Sequence, residues 1–374
     1  MRIFSHFDGG SIDVVNQEDI RNIELRLRSD NKADFSQWFY FGLHCQVGDN
    51  HQLNINNAGS SSYPQGWEGY KVCASYDRDN WFRIPTRYDG TNLEFEIKPE
   101  SDLIYFAYFP PYSFERHLNL LAKVQLSEQA SIRCLGHSVE GRPLSLIKVG
   151  EQGSDKAVIW MTARQHPGET MAEWFIEGAL ERLLDSSDAI ANDALDRAVF
   201  YLVPNMNPDG GVLGNLRTNA KGENLNRAWS APSLVNSPEV FHVREEMNRT
   251  GVDLFLDIHG DENIPYVFLS GSEGVPSFNK AMEIRQDHFK RSFLDASADF
   301  QTTHGYPKKA PNTANMATAT SYVAETHRCL AFTLEMPFKD NDDRPCREKG
   351  WSKQRSKILG KDTLAAIRNC IDTL

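Results

Sequence analysis

No run of uninterrupted apolar residues in this sequence approaches the ~18 needed to cross a bilayer, and mean hydropathy is -0.50, so no membrane partner is expected. The N-terminus, MRIFSHFDGG, lacks the succession of basic, apolar and small residues that marks a secretory signal. Cysteine is sparse. The six residues Cys45, Cys73, Cys134, Cys329, Cys346 and Cys370 are scattered with no C-x-x-C pair, which speaks against a zinc ribbon or a disulfide framework and for reduced thiols. Together these absences point to a cytoplasmic protein. Basic residues are also in deficit: Lys+Arg is 40 against Asp+Glu 51, giving a formal net charge of -11 and a pI near 5.5. Such a surface repels phosphate backbones, so no nucleic-acid partner is expected. There is no internal repeat and no low-complexity tract.

What is present suffices for a substantial core. Hydrophobic residues make up 40% and aromatics 11% of 374 residues, a length suited to two domains at ~150 residues each. The first part, residues 1–112, reads as β. Alternating runs recur at Ile23–Leu27, Trp38–Phe41, Leu93–Ile97 and Leu103–Ala107, with turn clusters such as Val47-Gly48-Asp49-Asn50 between them. Short strands joined by turns predict a small antiparallel sandwich. After Phe109-Pro110-Pro111-Tyr112 the pattern over residues 113–374 becomes α/β. A linking helix over Phe114–Val124 is followed by strands at Lys156–Met161, Ala198–Val203, Val252–Asp257 and Cys329–Leu334. These alternate with helices at Glu169–Leu184, Pro238–Arg249, Phe278–Leu294 and Lys353–Leu374. That alternation predicts a mixed sheet covered by helices, with a site gathered in the loops at strand ends.

Four features carry chemistry. His166-Pro167-Gly168-Glu169 follows a predicted strand, and an imidazole and a carboxylate three residues apart can face one metal, though the spacing also arises without one. Asp257-Ile258-His259-Gly260 ends another predicted strand and supplies a second histidine. Two His and one Glu, leaving a position for water, form a catalytic zinc set. The loop Arg217–Arg227 brings two arginines and several asparagines together; Arg227 can grip a carboxylate through parallel N–H bonds, and a plain solvated loop is the alternative. In Phe332-Thr333-Leu334-Glu335-Met336-Pro337 a carboxylate closes an apolar strand, either as a proton shuttle or as an ordinary strand-end Glu.

In order and content these motifs resemble the zinc metallocarboxypeptidases, and within them a bacterial-type member of the cytosolic carboxypeptidase branch. Leu135–Leu144 resembles that family's opening hairpin, Pro204–Gly210 its turn before the arginine loop, and Tyr105–Ser113 the branch's signature at the domain junction. The resemblance implies one Zn2+ per chain held by His166, Glu169 and His259. It implies that Glu335 acts as general base and then acid, that Arg217 stabilises the oxyanion alongside the metal, and that Asn226 and Arg227 hold the free C-terminal carboxylate of a peptide or protein substrate. It further implies a preference for acidic terminal residues, although Ala310–Thr326, which should line the pocket, holds no Lys or Arg; Lys308, Lys309 and Arg328 flank it. Two positions depart from the family pattern. Asn224 stands where an Asp usually orients a zinc-bound histidine. No tyrosine lies about twenty residues before Glu335, where pancreatic-type members carry a mobile one; Tyr306 and Tyr322 flank the interval. The rival readings are a zinc amidohydrolase resembling the aspartoacylases, which place their accessory β-domain after the core, and a catalytically weak protein-binding scaffold.

Overall fold

The structure is a computed structural model describing residues 1–374. Ten strands occupy the first third: β1 (Arg2–Phe4), β2 (Asp13–Asn16), β3 (Ile23–Arg26), β4 (Tyr40–His44), β5 (His51–Ile55), β6 (Cys73–Ser75), β7 (Phe82–Arg83), β8 (Thr86–Tyr88), β9 (Leu93–Ile97) and β10 (Leu103–Ala107). They form two five-stranded sheets, ordered β1-β4-β10-β6-β7 and β2-β3-β5-β9-β8. The alternation read at Leu93–Ile97 and Leu103–Ala107 matches β9 and β10 to the residue, because Leu93, Phe95, Ile104 and Phe106 turn to the core. One pairing departs from the expected antiparallel pattern: β3 and β5 run parallel, since the chain crosses to the other sheet through β4 between them.

The remainder comprises α1 (Phe114–Val124), β11 (Ala130–His137), β12 (Pro143–Val149), β13 (Ala157–Ala163), α2 (Met171–Leu183), α3 (Ala189–Arg197), β14 (Ala198–Val203), α4 (Pro208–Leu213), α5 (Pro238–Thr250), β15 (Leu254–Asp261), β16 (Phe268–Ser270), α6 (Lys280–Ala296), α7 (Ala319–His327), β17 (Leu330–Pro337) and α8 (Lys353–Cys370). The seven-stranded sheet runs β11-β12-β14-β13-β15-β17-β16, and its four middle strands β14, β13, β15 and β17 are parallel. Side chains alternate between its faces. Ile159, Met161, Leu254, Leu256 and Ile258 join the cluster under α2, α6 and α8, while Val158, Trp160 and Phe255 join the one under α5 and α7. Helices α2 and α8 cross so closely that a Cβ on Gly178 would sit 2.0 Å from the Lys357 carbonyl oxygen, and one on Gly360 2.1 Å from that of Phe175.

The first of those clusters continues into the β-sandwich, so the two halves share one apolar core. Tyr108 stacks on Phe338 at 4.5 Å between ring centroids. Arg83, from β7, donates to five backbone carbonyls, those of Lys71, Phe338, Lys339, Lys349 and Trp351. All six cysteines are free thiols; Cys73, Cys329 and Cys370 are buried and Cys134 is exposed.

Candidate active site

The parallel strands end together, and the chemistry-bearing residues gather there. After β13 the chain turns at Arg164, whose left-handed φ of 59° is held by its guanidinium bonds to the Tyr112 and Pro167 carbonyls and to Glu173. That turn brings His166 and Glu169 over the sheet. His259 comes from β15, in register with Glu335 on β17. His166, Glu169, His259 and Glu335 are all buried.

The donor atoms of His166, Glu169 and His259 lie within 4.8 Å of one another. The two Glu169 oxygens are each 2.7 Å from one imidazole Nδ1, and the two Nδ1 atoms are 3.2 Å apart. On their far sides, His166 Nε2 faces Asn224 Oδ1 at 3.2 Å and His259 Nε2 faces Asp257 Oδ2 at 2.8 Å. Both of those partners are acceptors, so a neutral imidazole that keeps its proton on Nε2 turns the Nδ1 lone pair inward. In that tautomer two lone pairs and a carboxylate converge on one small space, an arrangement that a cation satisfies. The donor set fits zinc. Burial, with Arg217 nearby, pushes the His166 pKa down to about 4. For His259 burial opposes protonation, but Asp257 and Glu169 raise the pKa well above its ordinary value.

Glu335 stands beside this cluster with Oε2 buried and unpaired. Burial raises its carboxyl well above the usual range; His259 opposes that shift, and Glu169, Asp261 and Glu262 reinforce it. The Tyr306 hydroxyl donates to Asp261 Oδ2 at 2.5 Å and lies 3.3 Å from Glu335 Oε1. Tyr322 is elsewhere, under the Arg244 guanidinium at 4.1 Å. Of the two flanking tyrosines, the structure brings only Tyr306 to the site.

Arg217 and Arg227 project into the same cleft, and neither makes a salt bridge within the chain; the only side-chain hydrogen bond of the pair runs from Arg227 Nη1 to the Asn226 carbonyl at 2.6 Å. Partial burial and the facing Arg217 lower the Arg227 pKa, whereas at Arg217 burial is outweighed by Tyr63, Glu169, Glu262 and Glu335, which raise its own. Asn226 Oδ1 accepts from the Ala319 amide at 2.8 Å. Its Nδ2 is 3.4 Å from His259 Nε2, but that nitrogen already donates to Asp257, so the Asn226 amide hydrogens stay available.

The structure adds residues that motif reading missed. Asp257 lies two residues before His259 on the same strand face, and Thr162 Oγ1 and Gln165 Nε2 fix its carboxylate. Asp261 and Glu262, which follow His259 and read equally as cleft-lining residues or a solvated turn in the sequence, are buried. The sandwich contributes Asp30, Phe35 and Tyr63 around Arg217.

The zinc carboxypeptidase family model matches residues 117–360, and the cytosolic carboxypeptidase N-terminal domain model matches residues 3–109. The crystal structure of a metallo-carboxypeptidase from Burkholderia cenocepacia is 48% identical. It aligns over 100% of this chain and 99% of that one with a TM-score of 0.97. A metallo-carboxypeptidase from Pseudomonas aeruginosa, solved in complex with (2-guanidinoethylmercapto)succinic acid, is 46% identical with a TM-score of 0.97 over 100% of both chains. Cytosolic carboxypeptidase 4 of Homo sapiens is 29% identical over 326 residues, which is 72% of this chain and 29% of that protein, so the chain spans less than a third of that relative.

Proposed function

The chain belongs to the zinc carboxypeptidase family, within its cytosolic branch, and from that premise we propose that it hydrolyses the last peptide bond of a peptide or protein at the cleft formed by His166, Glu169, His259, Glu335 and the two arginines. The observation that carries this reading is the pair of guanidinium groups without carboxylate partners beside an inward-facing His-Glu-His set. A cleft that pairs a metal-binding triad with two guanidinium groups free of internal salt bridges suits a substrate ending in a free carboxylate. The Pseudomonas relative, solved with a succinic acid ligand, binds a molecule with such groups.

In this reading His166, Glu169 and His259 hold one zinc ion. Bound zinc would act as a Lewis acid and lower the pKa of water to ~7. The remaining steps belong to the chain. Arg227 takes the terminal carboxylate through parallel N–H bonds, and Asn226 adds a directional donor from its free amide hydrogens. Arg217 faces the carbonyl oxygen as it gains charge; one such preorganised donor contributes ~2.7–4 kcal/mol to lowering the barrier. Glu335 Oε2, buried and unpaired, takes the proton of the attacking water and passes it to the departing amine. Asn224 and Asp257 hold the Nε2–H side of the two histidines, as outer-shell acceptors do for metal-binding imidazoles. We further propose that the terminal residue is acidic, supported by Lys309, which lines a cavity together with Tyr306, the tyrosine beside Glu335, and faces both Glu273 and Arg227. We also assign residues 1–112 to the sandwich and 113–374 to the catalytic domain, a division supported by the two family matches.

The test is amino-acid release by the zinc-loaded chain from peptides with systematically varied C-terminal residues. Glu335→Gln serves as the blank and is expected to lose roughly 10²–10⁴ in rate while keeping its zinc. Release that survives in Glu335→Gln, or occurs only from N-acyl amino acids, refutes the carboxypeptidase reading. Release that favours neutral or basic termini refutes the acidic preference alone.

A further inference from the structure

The β-sandwich reaches the reaction centre through the loop that carries Asp30. Asp30 lies in the loop between β3 and β4 and is 5% exposed. Its Oδ1 accepts from the Leu216 amide at 2.6 Å. Its Oδ2 accepts from the amides of Arg217 and Thr218 at 2.8 and 2.9 Å and from Thr218 Oγ1 at 3.0 Å. Three successive amides thus point at one carboxylate, a geometry that fixes the local backbone direction. The neighbouring residues secure the same loop: the Asn31 amide donates to Asn215 Oδ1 at 3.1 Å, and Asn31 Nδ2 and Lys32 Nζ both donate to the Ala220 carbonyl. The Arg217 side chain is bracketed from the same domain, its guanidinium carbon 5.7 Å from the Phe35 ring centroid and 5.5 Å from that of Tyr63. Backbone and side chain of Arg217 are therefore both placed by the sandwich.

A buried carboxylate is an expensive way to join two domains. This interface already has an apolar contact in the stacking of Tyr108 on Phe338. What the carboxylate adds is direction. A group that stabilises developing charge is sensitive to placement, and an error of about 1 Å can cost ~10² in rate. We propose that Asp30 is a positioning residue for the hydrolysis, acting through Arg217 by fixing where its guanidinium meets the oxyanion. This inference rests on the carboxypeptidase reading.

The test compares the full zinc-loaded chain with Asp30→Asn, Arg217→Ala and the double variant on a peptide that the wild type cleaves. Asp30→Asn is expected to lower kcat roughly 10–100-fold and to change KM by less than about twofold, because Asn226 and Arg227 are untouched. In the Arg217→Ala background it should cost nothing further, whereas a merely structural residue would impose its loss in either background. Thr218→Val removes one of the four donors and leaves the charge in place. It is expected to lose a few-fold in kcat with the same dependence on Arg217, and it decides the matter if Asp30→Asn does not fold. Hydrogen exchange at the Leu216, Arg217 and Thr218 amides, read without substrate, should quicken in Asp30→Asn. Unchanged kcat in a folded Asp30→Asn, or an equal loss in both backgrounds, overturns the inference and leaves the carboxypeptidase reading standing. Absence of release by the wild type sinks both.

Discussion

Asn224→Asp tests how the chain tunes its metal. The side-chain oxygen of Asn224 sits 3.2 Å from His166 Nε2 and also accepts the Asn226 amide at 3.0 Å. A carboxylate would keep both bonds and add a full charge. At 3.2 Å and an effective dielectric near 20, that charge is worth at most about 5 kcal/mol to a fully cationic imidazole. The ligating imidazole is only partly polarised, and the half-buried new carboxylate loses some of its own solvation. A gain of about 1.5–3 kcal/mol remains, or roughly 10–100-fold in metal affinity, the range typical of outer-shell partners. The assay is competition for Zn2+ between the protein and a chromogenic chelator at neutral pH, comparing wild type with Asn224→Asp. Tighter binding by the variant is expected. Affinity within twofold of wild type, or weaker, would refute the idea that the Asn224 oxygen acts on the metal through His166.

Arg227→Gln removes the charge proposed to hold the substrate terminus while leaving Glu335 and Arg217 in place. It is expected to raise KM about 10–100-fold with little change in kcat, and an unchanged KM in steady-state kinetics would count against the clamp. Glu239 is fully buried, with Oε1 unpaired, and burial raises its pKa to about 7 from an ordinary 4.5. Its folded state binds the proton more tightly than the unfolded chain does, so stability falls as pH rises from about 4.5 to about 7 and the loss is complete above that, on the order of 3 kcal/mol. Glu239→Gln should therefore raise the thermal unfolding midpoint near pH 8 and not near pH 4; equal shifts at the two pH values would contradict this.

Elements whose hydrophobic pattern runs unbroken were legible from the sequence. The spans read at Phe114–Val124 and Ala198–Val203 coincide with α1 and β14. The reading failed where strands carry function. β15 runs on to Asp261 and β17 to Pro337, past the apolar stretches that signalled them. The added residues include His259, Asp261 and Glu335, which are polar yet buried, so hydropathy alone ends those strands early. Helices α3 and α7 were missed because their segments, Ala189–Arg197 and Ala319–His327, are short and bury mostly small residues, with Leu195 and Val323 the one large apolar side chain buried in each. The residues of the four motifs do meet at one site. Asp257 had a readable signal, since i and i+2 share a strand face and a carboxylate there can reach the imidazole of His259. Asp30 had none, because 187 residues separate it from Arg217.

The five carbonyls gathered by Arg83 bear on how such proteins can be recombined. Four of them belong to the stretch from Phe338 to Trp351, which begins three residues after Glu335. A chimera whose first third lacked an arginine at that position would leave those oxygens unpaired at the seam. Inheritance of the two halves is thereby coupled. Exchange of whole genes preserves the match, whereas a crossover near residue 112 breaks it unless the incoming segment brings an arginine at the equivalent place.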